Sequence, residues 1–196
     1  MPYLTPSELE QMGFAQLGRS VQVSTKASIY GASQISLADF VRIDDFALLS
    51  AGAGGITLGP YVHIGCHSSL IGQGQIVFGA FSGVSGHCAV YSSSADWSGR
   101  WLASPTIPAD MRHERHLPVI FGQFVAIGAH SVVLPGITLV DNVGVIAQSL
   151  VRKSIAEAGL YGGSPFRRLG KRSEEWREQA EQLLRSPNDL NSDVHE

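Results

Sequence analysis

From Val119 onward, small or aliphatic residues return at every sixth position: Val119, Val125, Ser131, Ile137, Val143, Ser149 and Ile155. A second series follows two places later, at Phe121, Ile127, Val133, Leu139, Val145 and Val151. An α-helix repeats near 3.6 residues, and an ordinary strand does not turn at so short and regular an interval. The unit is two inward residues, one outward residue between them, then a turn. Gly128-Ala129-His130, Pro135-Gly136 and Asp141-Asn142 fill the turns, and such residues suit tight or left-handed backbone. A unit this short buries nothing alone and must stack on copies of itself.

The pattern also runs earlier, through the pairs Ile35/Leu37, Ala47/Leu49, Val62/Ile64, Ser68/Leu70, Ser82/Val84 and Cys88/Val90, with slips at 51–55 and 72–75. Three hexapeptides make one triangular coil, and coils stack about 4.8 Å apart. Residues 20–94 and 118–156 then give roughly six coils of about 18 residues. The fold class is all-β, a parallel β-helix over 20–156. Three segments depart from the repeat. Residues 5–13, within an N-terminal segment 1–19, read as a short helix with Thr5 as N-cap, Pro6 at the first position and Glu8 completing a capping box. Residues 95–117 break the period, and a long loop of this kind is a functional candidate. In the C-terminal segment 157–196, residues 173–185 read as an amphipathic helix with Trp176, Ala180 and Leu183 or Leu184 on one face. A polar tail follows from Pro187.

The chain has 196 residues, 44% hydrophobic and 16% charged, enough for one domain with a sizeable core. A net charge of −3 argues against a nucleic-acid partner. No apolar run reaches the roughly 18–20 residues of a membrane span. The N-terminus lacks the basic start and apolar stretch of a signal peptide, so a cytoplasmic location is expected. Two cysteines are too few for a disulfide scaffold. Cys66 and Cys88 are expected as buried, reduced thiols at inward positions.

The stretch VAIGAHSVVLPGITLVDNVGVIAQSLVRKSI, followed by GGSPFRR, resembles the closing coils of the left-handed β-helix acyltransferases, in particular their galactoside and maltose O-acetyltransferase branch. The Pro135-Gly136 turn, Lys153 and the Gly163-Ser164-Pro165 ending carry that resemblance. It implies a left-handed coil, a homotrimer with active sites between subunits, and acetyl-CoA as co-substrate without a metal. It implies a sugar or nucleotide-sugar acceptor, in the making of surface polysaccharide such as O-antigen or capsule. Ala129 and Ala147 match positions whose backbone lines the pantetheine arm. Arg152 and Lys153 match positions near the nucleotide end, and Arg167 and Arg168 are placed to meet the 3′-phosphate. A basic cluster suits CoA phosphates. The same residues also read as a solvated rim before the last helix.

Acyl transfer needs a base, donors for the oxyanion and a placed thioester. The family's catalytic histidine matches Ala95 here, so the resemblance leaves the base unassigned. Asp96, the next residue, is one candidate; it reads equally as an Asx-turn residue opening the loop. His63 is a second: lying between inward Val62 and Ile64, it points outward. Ser50 and Asp45 are candidates for acceptor contacts, with Asp44 beside them. Trp97 and Trp101 are placed to stack on a sugar or base, or to anchor the loop. His67 and His87 lie 20 residues apart at the same turn position. With His130 they predict a ladder along one corner, and His87 is a third candidate base. His113 and His116 read as loop surface. Two other functions fit the fold: a zinc enzyme of the carbonic-anhydrase type, for which seven histidines speak, and a non-catalytic trimeric scaffold.

Overall fold

The computed structural model describes residues 2–185. The tail from Pro187 lies outside the described residues. Short strands wind around a triangular prism, each pairing in parallel with strands one coil away. The result is a left-handed β-helix whose three sides we call faces 1, 2 and 3 in the order the chain visits them. Face 1 runs from Gln16–Leu17 to Thr138–Leu139, and face 3 from Ser28–Tyr30 to Leu150–Val151. Face 2 runs from Gln22–Val23 to Gly159–Gly162 and ends in an antiparallel strand, Arg167–Gly170. The parallel rungs therefore extend from Gln16 to Gly162, beyond the repeat legible in the sequence at both ends.

Coil lengths differ along the prism. Ile35 opposes Ile56 and Ile56 opposes Ile76, so lower coils hold 21 and 20 residues; Ile120 opposes Thr138, 18 residues on. The extra residues sit in the glycine-rich turns between faces 3 and 1. The uniform 18-residue coil is thus corrected for the lower half, and face 2 carries seven parallel rungs where roughly six coils were expected.

Both six-residue series are buried throughout, joined by Val21/Val23, Val41/Ile43, Ile56/Leu58 and Ile76/Phe78. Burying each large aliphatic or aromatic side chain contributes about 1.5–3 kcal/mol. Phe78 and Phe121 stack at 4.1 Å within this core. Inward serines fit because each hydroxyl finds a carbonyl: Ser68 donates to Ser85 O at 2.8 Å and Ser82 to Gly122 O at 2.7 Å.

The corners explain residues that a glycine rule misses. Phe40, Tyr61, Phe81 and Phe124, between faces 1 and 2, all have positive φ, as do Phe46, His67, His87 and His130 between faces 2 and 3. Left-handed backbone costs a residue with a Cβ about 1–2 kcal/mol. Ring stacking offsets it: Phe40–Tyr61 and Tyr61–Phe81 centroids lie 4.7 and 4.9 Å apart. The histidine ladder is present, with His67–His87 and His87–His130 both at 4.7 Å.

Helix α1 spans Pro6–Gln11, capped by Thr5 with the full capping box, and buries Leu9. Helix α2 spans Trp176–Arg185. It begins three residues later than the pattern indicates; the Ser173 carbonyl accepts from Asn142 Nδ2 and its hydroxyl from Glu175 N–H. Trp176 and Ala180 are buried, and Trp176 stacks on Phe124 at 4.2 Å. The 95–117 segment leaves the prism where face 3 would turn into face 1. Its base is an antiparallel pair, Ser93–Ala95 with Glu114–His116. The excursion is therefore a hairpin with an irregular tip, and it starts two residues earlier than the broken period indicates. Strands of three residues are too short to announce themselves by alternation.

Candidate active site

Two regions of the prism carry the candidate chemistry, and they lie on different sides of one chain. The first is a shallow slot of about 610 Å³ on face 2. Its floor is made of outward positions on successive rungs that carry almost no side chain: Gly83, Ala126 and Gly144. Gly83 has to be glycine, because a Cβ there would meet the His63 carbonyl at 2.4 Å. Tyr61 and Phe81 of the corner ladder wall one side. Arg172 closes the upper end, its guanidinium over the Phe124 ring and its Nη1 donating to Phe124 O at 3.0 Å. Burial draws the Arg172 pKa down.

His63 closes the lower end of the slot, and its ring is half exposed. Its Nε2 lies 2.8 Å from Asp44 Oδ2. The other oxygen of Asp44 accepts from Arg42 Nε at 2.7 Å. Asp44 is buried, so a carboxylate is held below the surface between a guanidinium and an imidazole. The sequence points to His63 but not to this pairing. Arg42 opposes His63 across a 21-residue coil, and an 18-residue register hides that neighbourhood. Cys66 also faces this slot and is exposed, which corrects the expectation of a buried thiol. The inward place in that turn is taken by Ser68. Cys88 is buried as expected, and burial pushes its thiol pKa up.

The second region lies at the hairpin. Asp96 follows its first strand, and its backbone N–H donates to His113 O at 2.9 Å. Its Oδ1 accepts from Ser98 N–H at 2.6 Å, the Asx turn that was one of its two readings. Ser98, through its hydroxyl and then its N–H, holds the Asp96 carboxyl below the ordinary aspartate range. Oδ2 lies 4.0 Å from His113 Nδ1. His113 is thus the histidine beside Asp96, a neighbour that hairpin register supplies and sequence distance conceals. Trp97 is 84% exposed, with only its indole N–H tied, to Ser94 Oγ at 3.1 Å. Trp101 tilts against His113 at 6.0 Å.

Asp96, Trp97, Arg115, Pro135 and Arg152 line a recess of about 460 Å³ under the hairpin. Arg152 also lines a second recess of about 380 Å³, together with Lys153, Gly163, Ser164 and Pro165. Arg152 thus borders both hollows, one at the closing coil and one at the hairpin. Arg167 is exposed on the terminal strand. Arg168 pairs with Glu157 at 3.0 Å and donates to Ala158 O. Ala147 is exposed at the corner of faces 2 and 3, while the Ala129 carbonyl accepts from Gln148 N–H at 2.8 Å. Asp45 spends its carboxylate on Ser24 and Lys26, which lower its pKa. Ser50 sits on face 3, paired across from Ile71. His87 has a histidine ring on each side of it in the corner ladder. Among the described residues no three His, Cys, Asp or Glu side chains converge to hold a metal ion.

The sequence is 36% identical over 173 residues to the dTDP-4-amino-4,6-dideoxy-D-glucose acyltransferase of Escherichia coli, covering 88% of this chain and 90% of that one. The chain belongs to the hexapeptide-repeat sugar acyltransferases. No family model matches it. The crystal structure of AntD, an N-acyltransferase from Bacillus cereus in complex with dTDP and 3-hydroxybutyryl-CoA, superposes with a TM-score of 0.89 at 36% identity, over 96% of this chain and all of that one. WbbJ of Escherichia coli K12, named for O-acetyl transfer in lipopolysaccharide biosynthesis, is 39% identical over 74 residues, 38% of each chain. This hexapeptide-repeat protein is thus an acyltransferase, and neither the zinc hydratase nor the scaffold describes it. No helix among the described residues is long and apolar enough to cross a membrane.

Proposed function

We propose that this acyltransferase moves an acyl group from acyl-CoA to the amine of a dTDP-linked 4-amino-4,6-dideoxy sugar, in the cytoplasm, for a surface polysaccharide. The observation that carries the reading is the similarity over nine-tenths of an enzyme named for that acceptor. The N-transfer also suits the chain's departure from the O-acetyltransferase pattern, in which Ala95 stands at the histidine position. A free amine attacks a thioester without a strong base. The C–N bond forms as the C–S bond breaks; the amine gives up a proton, and the departing thiolate takes one to become CoA-SH.

Acyl-CoA lies across the two recesses that Arg152 borders. Lys153, Arg167 and the turns at Ala129 and Ala147 hold its nucleotide end and pantetheine arm, and the thioester reaches the hairpin. Acetyl-CoA and 3-hydroxybutyryl-CoA are the donors to test first. Asp96 is ionised at neutral pH and suits the task of holding the acceptor's ammonium. His63 is the group that takes its proton, and Trp97 stacks on the acceptor.

Asp96 and His63 lie on separate sides of one chain, so a shared site needs two copies. The acyltransferase works as a homotrimer with the histidine corner toward the three-fold axis. Triangular prisms meeting corner-first leave a wedge between face 3 of one copy and face 2 of the next. The hairpin, at the outer edge of face 3, then reaches the neighbour's slot. Face 3 exposes Tyr30, Tyr91 and Leu150, apolar surface that such packing covers.

The test is subunit complementation. Asp96→Asn and His63→Ala each lower transfer at least tenfold, measured as thiol release with a dTDP-amino sugar, and leave CoA binding near normal. Co-expressed, the two variants regain about a quarter of wild-type activity, the random frequency of interfaces with both native residues. No recovery rules out the shared site. Wild-type rates in both variants remove the residue assignment.

A further inference from the structure

We infer that Asp44 is a positioning residue that fixes His63 as a proton acceptor through Nδ1; this rests on the reading of His63 given above. The rung position of Asp44 recurs on every coil, and face 2 fills it with Ser24, Gly65, Ser85, Gly128 and Ile146 in turn. A carboxylate occurs at that position once, on the coil next to the outward histidine. The Asp44 side chain is 10% exposed, whereas the Arg42 and His63 side chains it joins are 43% and 48% exposed. Burying a carboxylate is costly unless its lone pairs are met. Here one oxygen accepts from Arg42 Nε at 2.7 Å and the other faces His63 Nε2 at 2.8 Å.

A carboxylate paired to a guanidinium only accepts hydrogen bonds, so the ring proton of neutral His63 resides on Nε2. Nδ1 keeps its lone pair. The ring borders the slot whose floor is Gly83 and Ala126. The arrangement is a carboxylate–imidazole pair in which the buried member sets tautomer and ring angle and the exposed member meets the acceptor. Arg42 holds Asp44 in turn, which keeps the pair from collapsing toward solvent.

Asp44→Asn tests the assignment, since the amide keeps shape but can donate to Nε2 and move the ring proton to Nδ1. In the wild type, nitrogen NMR of the His63 ring is expected to show Nε2 protonated and Nδ1 bare; Asp44→Asn reverses or mixes the two forms. Turnover falls at least tenfold while KM for acyl-CoA stays within twofold. In a His63→Ala background, Asp44→Asn causes no further loss, because its effect passes through the imidazole. A wild-type ring protonated on Nδ1 overturns the inference, and that measurement needs no variant to fold. So does an Asp44→Asn enzyme with wild-type turnover, or an undiminished loss in the double variant. If His63→Ala itself transfers at the wild-type rate, the reading of His63 fails, which is a separate outcome.

Discussion

The coils and the hairpin obey opposite rules. Along the coils the inward residues are buried, save Leu17, Ala27 and Ile29 on the lowest rungs, which are partly so, and each rung stacks on the one below. The hairpin buries little of itself: Trp97, Trp101, Leu102 and Met111 are 84, 45, 53 and 55% exposed. Its order comes from the six-residue antiparallel base and from side chains tied to backbone, such as Asp96 with Ser98. Stability is concentrated in the stack, and the segment that interrupts the stack is free to vary in shape. Chemistry placed on such a segment costs the fold little.

Phe121→Ala removes half of the Phe78–Phe121 stack next to the point where the hairpin returns. It lowers stability by about 3–5 kcal/mol in denaturant melts, and the hairpin does not soften the loss. Replacing residues 97–112 with two glycines leaves the strand signal and melting temperature nearly unchanged, yet lowers acyl transfer about a hundredfold, because the thioester loses its placement. A large drop in melting temperature would show that the hairpin supports the prism. Trp97→Ala sharpens the comparison further. It raises KM for the acceptor about two- to tenfold, the worth of one aromatic stack, with no change in the melt.

The smallest effect is in pH. Asp39 and Asp45, at corners of the lower coils, are held below the ordinary aspartate range, by Arg19 for Asp39 and by Ser24 and Lys26 for Asp45. A carboxyl with a depressed folded pKa stabilises fully above its unfolded value, near 4, and that contribution disappears as pH falls through the folded value. The melting temperature is therefore level from neutral pH to about 5 and declines below about 4. Asp39→Asn makes the decline shallower.

Much of the core could be read from the sequence. Every inward pair named from the six-residue period is buried, because a stack of identical units lets each residue report on its neighbours. The histidine ladder was legible for the same reason: a 20-residue interval is one coil. Helix α1 was legible from Thr5, Pro6 and Glu8, since a cap is a local interaction. The site was less legible. His63 stands out by its outward place between Val62 and Ile64, and Asp96 and Arg152 by the resemblance, but the side chains beside them do not. Asp44 joins His63 across a 21-residue coil, and His113 joins Asp96 across a hairpin. Neither register is written in the period.

What the sequence alone determined is the prism: its repeat and the inward pairs that the repeat names. Burial has to recur with the coil, and recurrence leaves a mark in one dimension. Only the tertiary structure decided which polar groups meet, that Cys66 faces solvent, and that the hairpin and the face 2 slot lie on different sides of a chain. Those facts depend on coil length and on the angle at each corner, which turn residues set without imposing a period.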